Sequence, residues 1–251
     1  MIQRNCIYNM DCIEGMKEIP AGSVDMILCD LPYGTTQCEW DIIIPFSDLW
    51  TEYERIIKET GAIVLTAKQP FTTELIQSNR KLYRYNMVWI KNIGCGYMNA
   101  KKMPLQQHED ICVFYKKAPT YNPQMEGGYE RKISRASQKR KCKAAEVYNK
   151  AICTKDYDST ERYPISVLYF ESDKHKEALH PTQKPLTLFE YLIKTYTDKG
   201  DTVLDNCIGS GTTAVACIRT GRQYIGFEKT EKYYKVAIER VATTQLTIDS
   251  I

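Results

Sequence analysis

Chemistry is most concentrated in Asp30-Leu31-Pro32-Tyr33, which follows the apolar run Met26 to Cys29. The aspartate offers acceptor oxygens, the proline presents a backbone carbonyl in a fixed direction, and the tyrosine adds a flat face. These parts suit a planar ring that carries an exocyclic amine. Two acceptors take its two hydrogens while the ring stacks on the aromatic. The nitrogen lone pair is then aimed at an incoming electrophile, which is positioning rather than acid–base chemistry. A nucleobase inside a duplex reaches such a pocket only by rotating out, and stacking returns about 1–3 kcal/mol of that cost. The plain alternative is a proline turn with a surface tyrosine.

A second cluster is Val203-Leu204-Asp205-Asn206, followed by Gly209-Ser210-Gly211-Thr212. It reads as a strand, a glycine turn and the start of a helix. Glycines there let the backbone approach a ligand, and a helix N-terminus has unpaired N–H groups. Glu228 closes the next strand, where an acid can accept both hydroxyls of a ribose. The pair points to a nucleoside-type cofactor at the carboxyl ends of parallel strands. Gly211 is followed by Thr212-Thr213 rather than Lys-Ser/Thr, which disfavours a phosphate loop.

The elements that position these residues alternate. Residues 24–30 and 61–67 read as strands around a helix over 46–59. A helix over 71–79 and strands over 82–91 and 110–116 follow. After a break, a helix over 181–200, a strand from 203, a helix, a strand over 223–228 and a helix over 230–241 complete the pattern. Such alternation predicts a parallel sheet with crossover helices. Residues 118–164 show no sustained period and read as an insertion.

With 251 residues the chain can hold one sizeable α/β domain plus an insertion. No apolar run approaches the ~20 residues of a membrane helix, and the N-terminus lacks a signal-peptide pattern. Ten cysteines include no C-x-x-C pair, and three histidines are few for a zinc site, so reduced cytosolic thiols and no metal are expected. Net charge is only +3, but seven of the thirteen residues from Arg131 to Lys143 are Lys or Arg with no acid among them. That tract is either a solvated loop or a phosphate-contacting segment.

The sequence resembles the beta group of amino-group DNA methyltransferases, which use S-adenosylmethionine and carry a D/N/S-P-P-Y motif ahead of the glycine-rich cofactor motif. The resemblance runs through residues 9–34, 180–193, 204–213 and 225–241, in the family's order, and leaves mainly 118–170 outside. Leu31 stands where proline is usual. The resemblance implies a Rossmann-like methyltransferase fold: a mostly parallel seven-stranded sheet with helices on both faces and circularly permuted motifs. Residues 1–117 and 171–251 would form the catalytic domain, and 118–170 an inserted target-recognition region.

It further implies that Asp30 and the Pro32 carbonyl hold the target amine, with Leu31 completing the motif and Tyr33 stacking on the flipped base. Asp11, with the Cys12 backbone, would contact the cofactor's adenine, and Glu228 its ribose. Asp205, Asn206, Gly209, Gly211 and Thr212 would surround its methionine part, and Lys184 would meet the carboxylate. Arg131, Lys132, Arg135, Lys139, Arg140 and Lys141 would contact the phosphates of double-stranded DNA. Aspartate at the head of the motif favours adenine N6 over cytosine N4. Methylation at cytosine C5 is excluded, because no Pro-Cys pair occurs. A cytoplasmic enzyme, paired by analogy as a homodimer and working alone or beside a restriction nuclease, fits. A non-catalytic DNA-binding module, a Rossmann oxidoreductase and an RNA or protein methyltransferase are the rival classes. Trp40 is equally a base-pocket cap or core, and His108 is structural or a substrate-side hydrogen-bonding group.

Overall fold

The computed structural model describes residues 2–36, 38, 41–135, 156–172 and 183–249. Trp40, Lys139, Arg140 and Lys141 lie outside them. The chain forms two compact units, residues 1–122 with 166–251, and residues 123–165.

The larger unit is built on β2 (Val24–Asp30). Met26 and Leu28 point into one apolar layer, Ile27 and Cys29 into the other. A strand covered on both faces needs apolar side chains at consecutive positions, which is why this segment lacks polar alternation. Around it lie β1 (Cys6–Tyr8), β3 (Ile57–Ala67), β4 (Tyr83–Cys95), β5 (Gln106–Phe114), β8 (Val167–Tyr169), β9 (Thr202–Asp205) and β10 (Gln223–Phe227). The sheet order is β1-β10-β9-β2-β3-β5-β4-β8. Only β5 runs antiparallel to its neighbours.

One layer contains α1 (Cys12–Lys17), α2 (Phe46–Ile56) and α3 (Phe71–Ser78). It is filled by Leu49, Trp50, Tyr53, Phe71 and Leu75 against Ile63, Leu65 and Phe114. The opposite layer contains α4 (Leu186–Tyr196), α5 (Thr212–Thr220) and α6 (Glu231–Asp249). There Leu188, Leu192, Ala216 and Ala237 cover Val64, Val113 and Val203.

The sheet has one strand more than the seven expected. The addition, β8, falls within 118–170, the span expected to be inserted. Leu168 is buried, and the Trp89 indole donates to the Phe170 carbonyl at 2.9 Å, which ties this strand to β4. Asn122 at the other border donates its side-chain amide to the Thr197 carbonyl at 3.1 Å. The second unit itself contains β6 (Lys132–Ser134) paired antiparallel with β7 (Tyr157–Ser159). Among the described residues, no helix is long and apolar enough to cross a membrane.

Candidate active site

Parallel strands β1, β10, β9 and β2 end at one edge of the sheet. From β2 the chain proceeds outward to β3, and from β9 the other way to β10, so the adjacent ends of β2 and β9 form a topological switch point where a crevice opens. A cavity of about 750 Å³ occupies it, lined by Asp11, Asp30, Tyr33, Lys184, Asp205 and Glu228 among others.

Asp30 ends β2 at the cavity wall. Its Oδ1 accepts from the Tyr33 hydroxyl at 2.6 Å and from the Thr66 hydroxyl of β3, and its Oδ2 receives the Lys184 ammonium at 2.6 Å. Lys184 lies 3.3 Å from Glu109 Oε2, and Lys91 pairs with Glu109 Oε1. Four charges therefore alternate in sign along a partly to fully buried row: Asp30, Lys184, Glu109, Lys91. Burial works against the charge on Lys184, but Asp30 and Glu109 outweigh it and raise the ammonium above its ordinary range. Burial likewise opposes the Glu109 charge, yet Lys184 and Lys91 hold that carboxyl below the usual range. Burial, then the charges of Asp30 and Glu109, pushes the Tyr33 phenol up, so it stays a donor.

The Tyr33 ring packs against Phe71 with centroids 5.1 Å apart, and Lys184 Nζ lies 5.6 Å from its centre. Leu31 turns into the α2–α3 layer and is 3% exposed, so an apolar side chain suits this place. Pro32 lines the cavity. The loop after Tyr33 is gathered by Asp41, which accepts the N–H groups of Gly34 (2.9 Å), Thr35 (2.9 Å) and Thr36 (2.7 Å). Burial would raise the Asp41 carboxyl, but Thr36 and these backbone donors bring it below its ordinary range.

At the glycine turn, Gly209 donates its N–H to Glu228 Oε2 at 3.0 Å, and Thr230 donates to Oε1 at 2.7 Å. Burial raises the Glu228 carboxyl above its ordinary range. Asp205 anchors the turn by accepting the Thr213 hydroxyl and, at 3.0 Å, the Cys207 N–H; burial pushes its carboxyl up to about 7. Asn206 accepts the Tyr53 hydroxyl at 2.5 Å, and Thr212 Oγ1 accepts from Arg240 at 3.0 Å. Asp205, Asn206, Gly209, Thr212 and Glu228 line the cavity, and Gly211 does not. Gly211 has φ 84°, and a Cβ there would lie 3.2 Å from Ala237 of α6, so this glycine serves helix packing behind the turn. Asp11 caps α1 through the Ile13 N–H at 3.0 Å, with Cys12 beside it on the wall.

A family profile described as DNA methylase, covering the N6 and N4 methyltransferases, matches residues 24–239. The chain belongs to this family. The Type II methyltransferase M1.MboII of Moraxella bovis is 26% identical, covering 94% of this chain and 96% of its own length. The DNA adenine methyltransferase YhdJ of Escherichia coli K12 is also 26% identical, over 94% and 82%. Among solved structures, the M1.HpyAVI–SAM complex superposes with a TM-score of 0.64 at 24% identity, over 96% of this chain and 99% of that one. The cytosine-N4-specific PvuII DNA methyltransferase gives 0.67 at 14%, over 99% and 93%. These structures share the α/β fold described above.

In this DNA methylase the residues expected at the motif and the cofactor site line one cavity, apart from Gly211, which stands behind it. Lys184, expected at the cofactor's carboxylate, lines that cavity and meets Asp30 and Glu109 there. Thr66, Lys91, Glu109 and Asp41 escaped the sequence reading. Strand alternation carried a signal for two of them: Glu109 has the parity of the buried Ile111 and Val113, and Lys91 that of Met87 and Trp89. His108 lies on the exposed side of β5. In the second unit, Arg131 forms a two-pronged pair with Asp158 at 2.7 and 2.8 Å, and Arg135 meets Asp156 at 3.1 Å. Lys132 is exposed in β6.

Proposed function

We propose that the chain transfers a methyl group from S-adenosylmethionine to the N6 amine of an adenine rotated out of duplex DNA. One observation carries the reading: Asp30, Pro32 and Tyr33 line the same cavity as Asp11, Gly209 and Glu228. A nucleobase clamp and a nucleoside-binding wall thus share one space.

The residues present fit the cofactor. The cavity's volume of about 750 Å³ is within the roughly 300–1,000 Å³ of small-molecule sites. Each Glu228 oxygen holds one backbone N–H, which leaves lone pairs for two ribose hydroxyls. Asp11 Oδ2 meets only an exposed lysine, Lys229, at 3.3 Å among the contacts described, and suits an amine. Gln183 Oε1 is buried at the cavity without a hydrogen-bond partner, an acceptor suited to an ammonium. When bound, S-adenosylmethionine supplies an electrophilic methyl group on a sulfonium.

The chain's part is orientation. Asp30 and the Pro32 carbonyl accept the two amine hydrogens, and Tyr33 offers its ring to the base. Lys184 donates to Asp30 Oδ2 at 2.6 Å and so holds the carboxylate in place at the cavity wall. Tyr33, Thr66 and Lys184 already occupy both Asp30 oxygens, so the amine shares their remaining lone pairs or displaces the Tyr33 hydroxyl. The second unit, with Arg131, Lys132, Arg135, Lys139, Arg140 and Lys141, is assigned to DNA recognition and backbone contact.

Asp30 at the head of the motif and the adenine methyltransferase among the relatives support adenine. Cytosine N4 is the second reading, favoured by the fold shared with a cytosine-N4-specific enzyme. Incubating the protein with labelled S-adenosylmethionine and duplex DNA, then sequencing the modified bases, tests both. N6-methyladenine is expected; N4-methylcytosine would shift the assignment, and unlabelled DNA would sink it.

A further inference from the structure

The β4–β5 hairpin has an apolar, basic tip that the site above does not use. Its stem borders the cavity through Ile93, Cys95 and Gln106. The two arms close at Gly94, where a Cβ would stand 2.9 Å from that of Leu105. Gly96, at φ 89°, turns the chain into a short 3-10 helix, Tyr97–Asn99. The N–H groups of Asn99, Ala100, Lys102 and Met103 all donate to carbonyls within the tip, at 2.8 to 3.1 Å. The backbone is therefore held by its own turns. Its side chains are not covered: Tyr97 is 81% and Met98 84% exposed, the highest values among the described large apolar residues. From Ile93 to Leu105 the segment has two lysines and no acid, and both Lys101 and Lys102 are exposed.

We propose that this tip is a wedge for double-stranded DNA: Tyr97 and Met98 enter the stack where the extruded base has left, and Lys101 and Lys102 meet the flanking phosphates. The inference rests on the base-extrusion reading above. A base seated in the cavity brings its own duplex to the rim, and this hairpin is part of that rim. Apolar side chains inserted between base steps hold open a stack that has lost a member. An ordered turn can do this without first being ordered itself, which lowers the cost of binding. The two exposed lysines, Lys101 and Lys102, with no acid beside them in the tip, complement a phosphate backbone.

The test uses the full chain and duplexes containing its own methylation site, with the target base either correctly paired or mispaired. A mispaired base is already loosened and needs less help to leave the stack. The double variant Tyr97→Ala/Met98→Ala is expected to lose about tenfold or more in kcat/KM on the paired duplex. On the mispaired duplex it should stay within about threefold of the parent, since the step that the wedge assists is there largely done. Affinity for S-adenosylmethionine and the melting temperature should not change. Equal loss on both duplexes, or no loss on either, overturns the wedge. So does a shift in oligomeric state with the paired-to-mispaired ratio unaltered, which would make the tip a contact between copies. Failure of the extrusion reading looks different: the parent chain itself would then methylate paired and mispaired targets equally, or neither.

Discussion

At Asp30, hydroxyl donors on one oxygen and an ammonium on the other fix the carboxylate before any substrate arrives. Tyr33 has two separable functions there, a ring for stacking and a hydroxyl for Asp30. Tyr33→Phe is expected to keep most of the turnover, whereas Tyr33→Ala loses it while still binding cofactor by calorimetry. Full turnover in the alanine variant would refute the stacking role. Removing Lys184 leaves the buried Glu109 and the partly buried Asp30 without the cation between them. Lys184→Met should cost about 3–5 kcal/mol in urea denaturation, the usual effect of breaking a buried ion pair. Glu109 adds a pH dependence. Its folded carboxyl is held below the unfolded value of about 4.3, so its pairing stabilises the chain above that value and is lost as pH falls through the folded one. In Glu109→Gln this acid-side decline should shrink, as read from denaturation midpoints between about pH 3 and 6. Asp30 and Tyr33 were legible because their motif is contiguous. Glu109, Lys91 and Thr66 were not, since the pairing of β3, β5 and β4 brings them to Asp30 across long sequence separations.

Among the elements, the unit β9–turn–α5 depends on two internal residues. Gly211 adopts φ 84° beside Ala237. Gly211→Ala should destabilise by about 1–3 kcal/mol with little change in cofactor affinity. Unchanged melting with lost cofactor binding would reverse that assignment. Asp205 behaves oppositely to Glu109. Its carboxyl, raised to about 7 by burial, holds a proton more tightly in the folded chain, so stability declines as pH rises from its unfolded value toward 7. Asp205→Asn should flatten that decline in denaturation midpoints, and an unaltered slope would count against it. Most elements could be read from periodicity, and β2 lies where expected, at 24–30. The expected helix over 46–59 ends sooner, at Ile56. Ile57 already pairs with Val24 and Lys58 reaches Asp25 at 2.5 Å, so the sheet captures these residues first. The brief β1 and α1, with 3 and 6 residues, are too short to establish a period.

For the molecule as a whole, the charge distribution sets the behaviour toward DNA. In the second unit Arg131 and Arg135 are paired with exposed acids. Such surface pairs are worth about 0–1 kcal/mol, so phosphates can replace the acids readily. Alanine at Arg131, Lys132, Arg135, Lys139, Arg140 and Lys141 should flatten the dependence of log Kd on log salt by about 0.9 for each phosphate contact removed. Cofactor affinity should not change, and an unaffected slope would remove the tract from the interface. The second unit was legible only as an interruption, because its short paired strands lack a repeating apolar pattern.

The excursion through 123–165 leaves from Asn122 and returns at Ser166, whose carbonyl accepts the Val88 N–H at 2.8 Å. Both borders are thus pinned to the sheet unit. Doubling a loop between fixed ends costs only about 0.6 kcal/mol, so this stretch can be lengthened, shortened or exchanged while the scaffold keeps its register. The architecture is modular in the evolutionary sense: a lineage can trade one inserted unit for another and retain the same sheet scaffold.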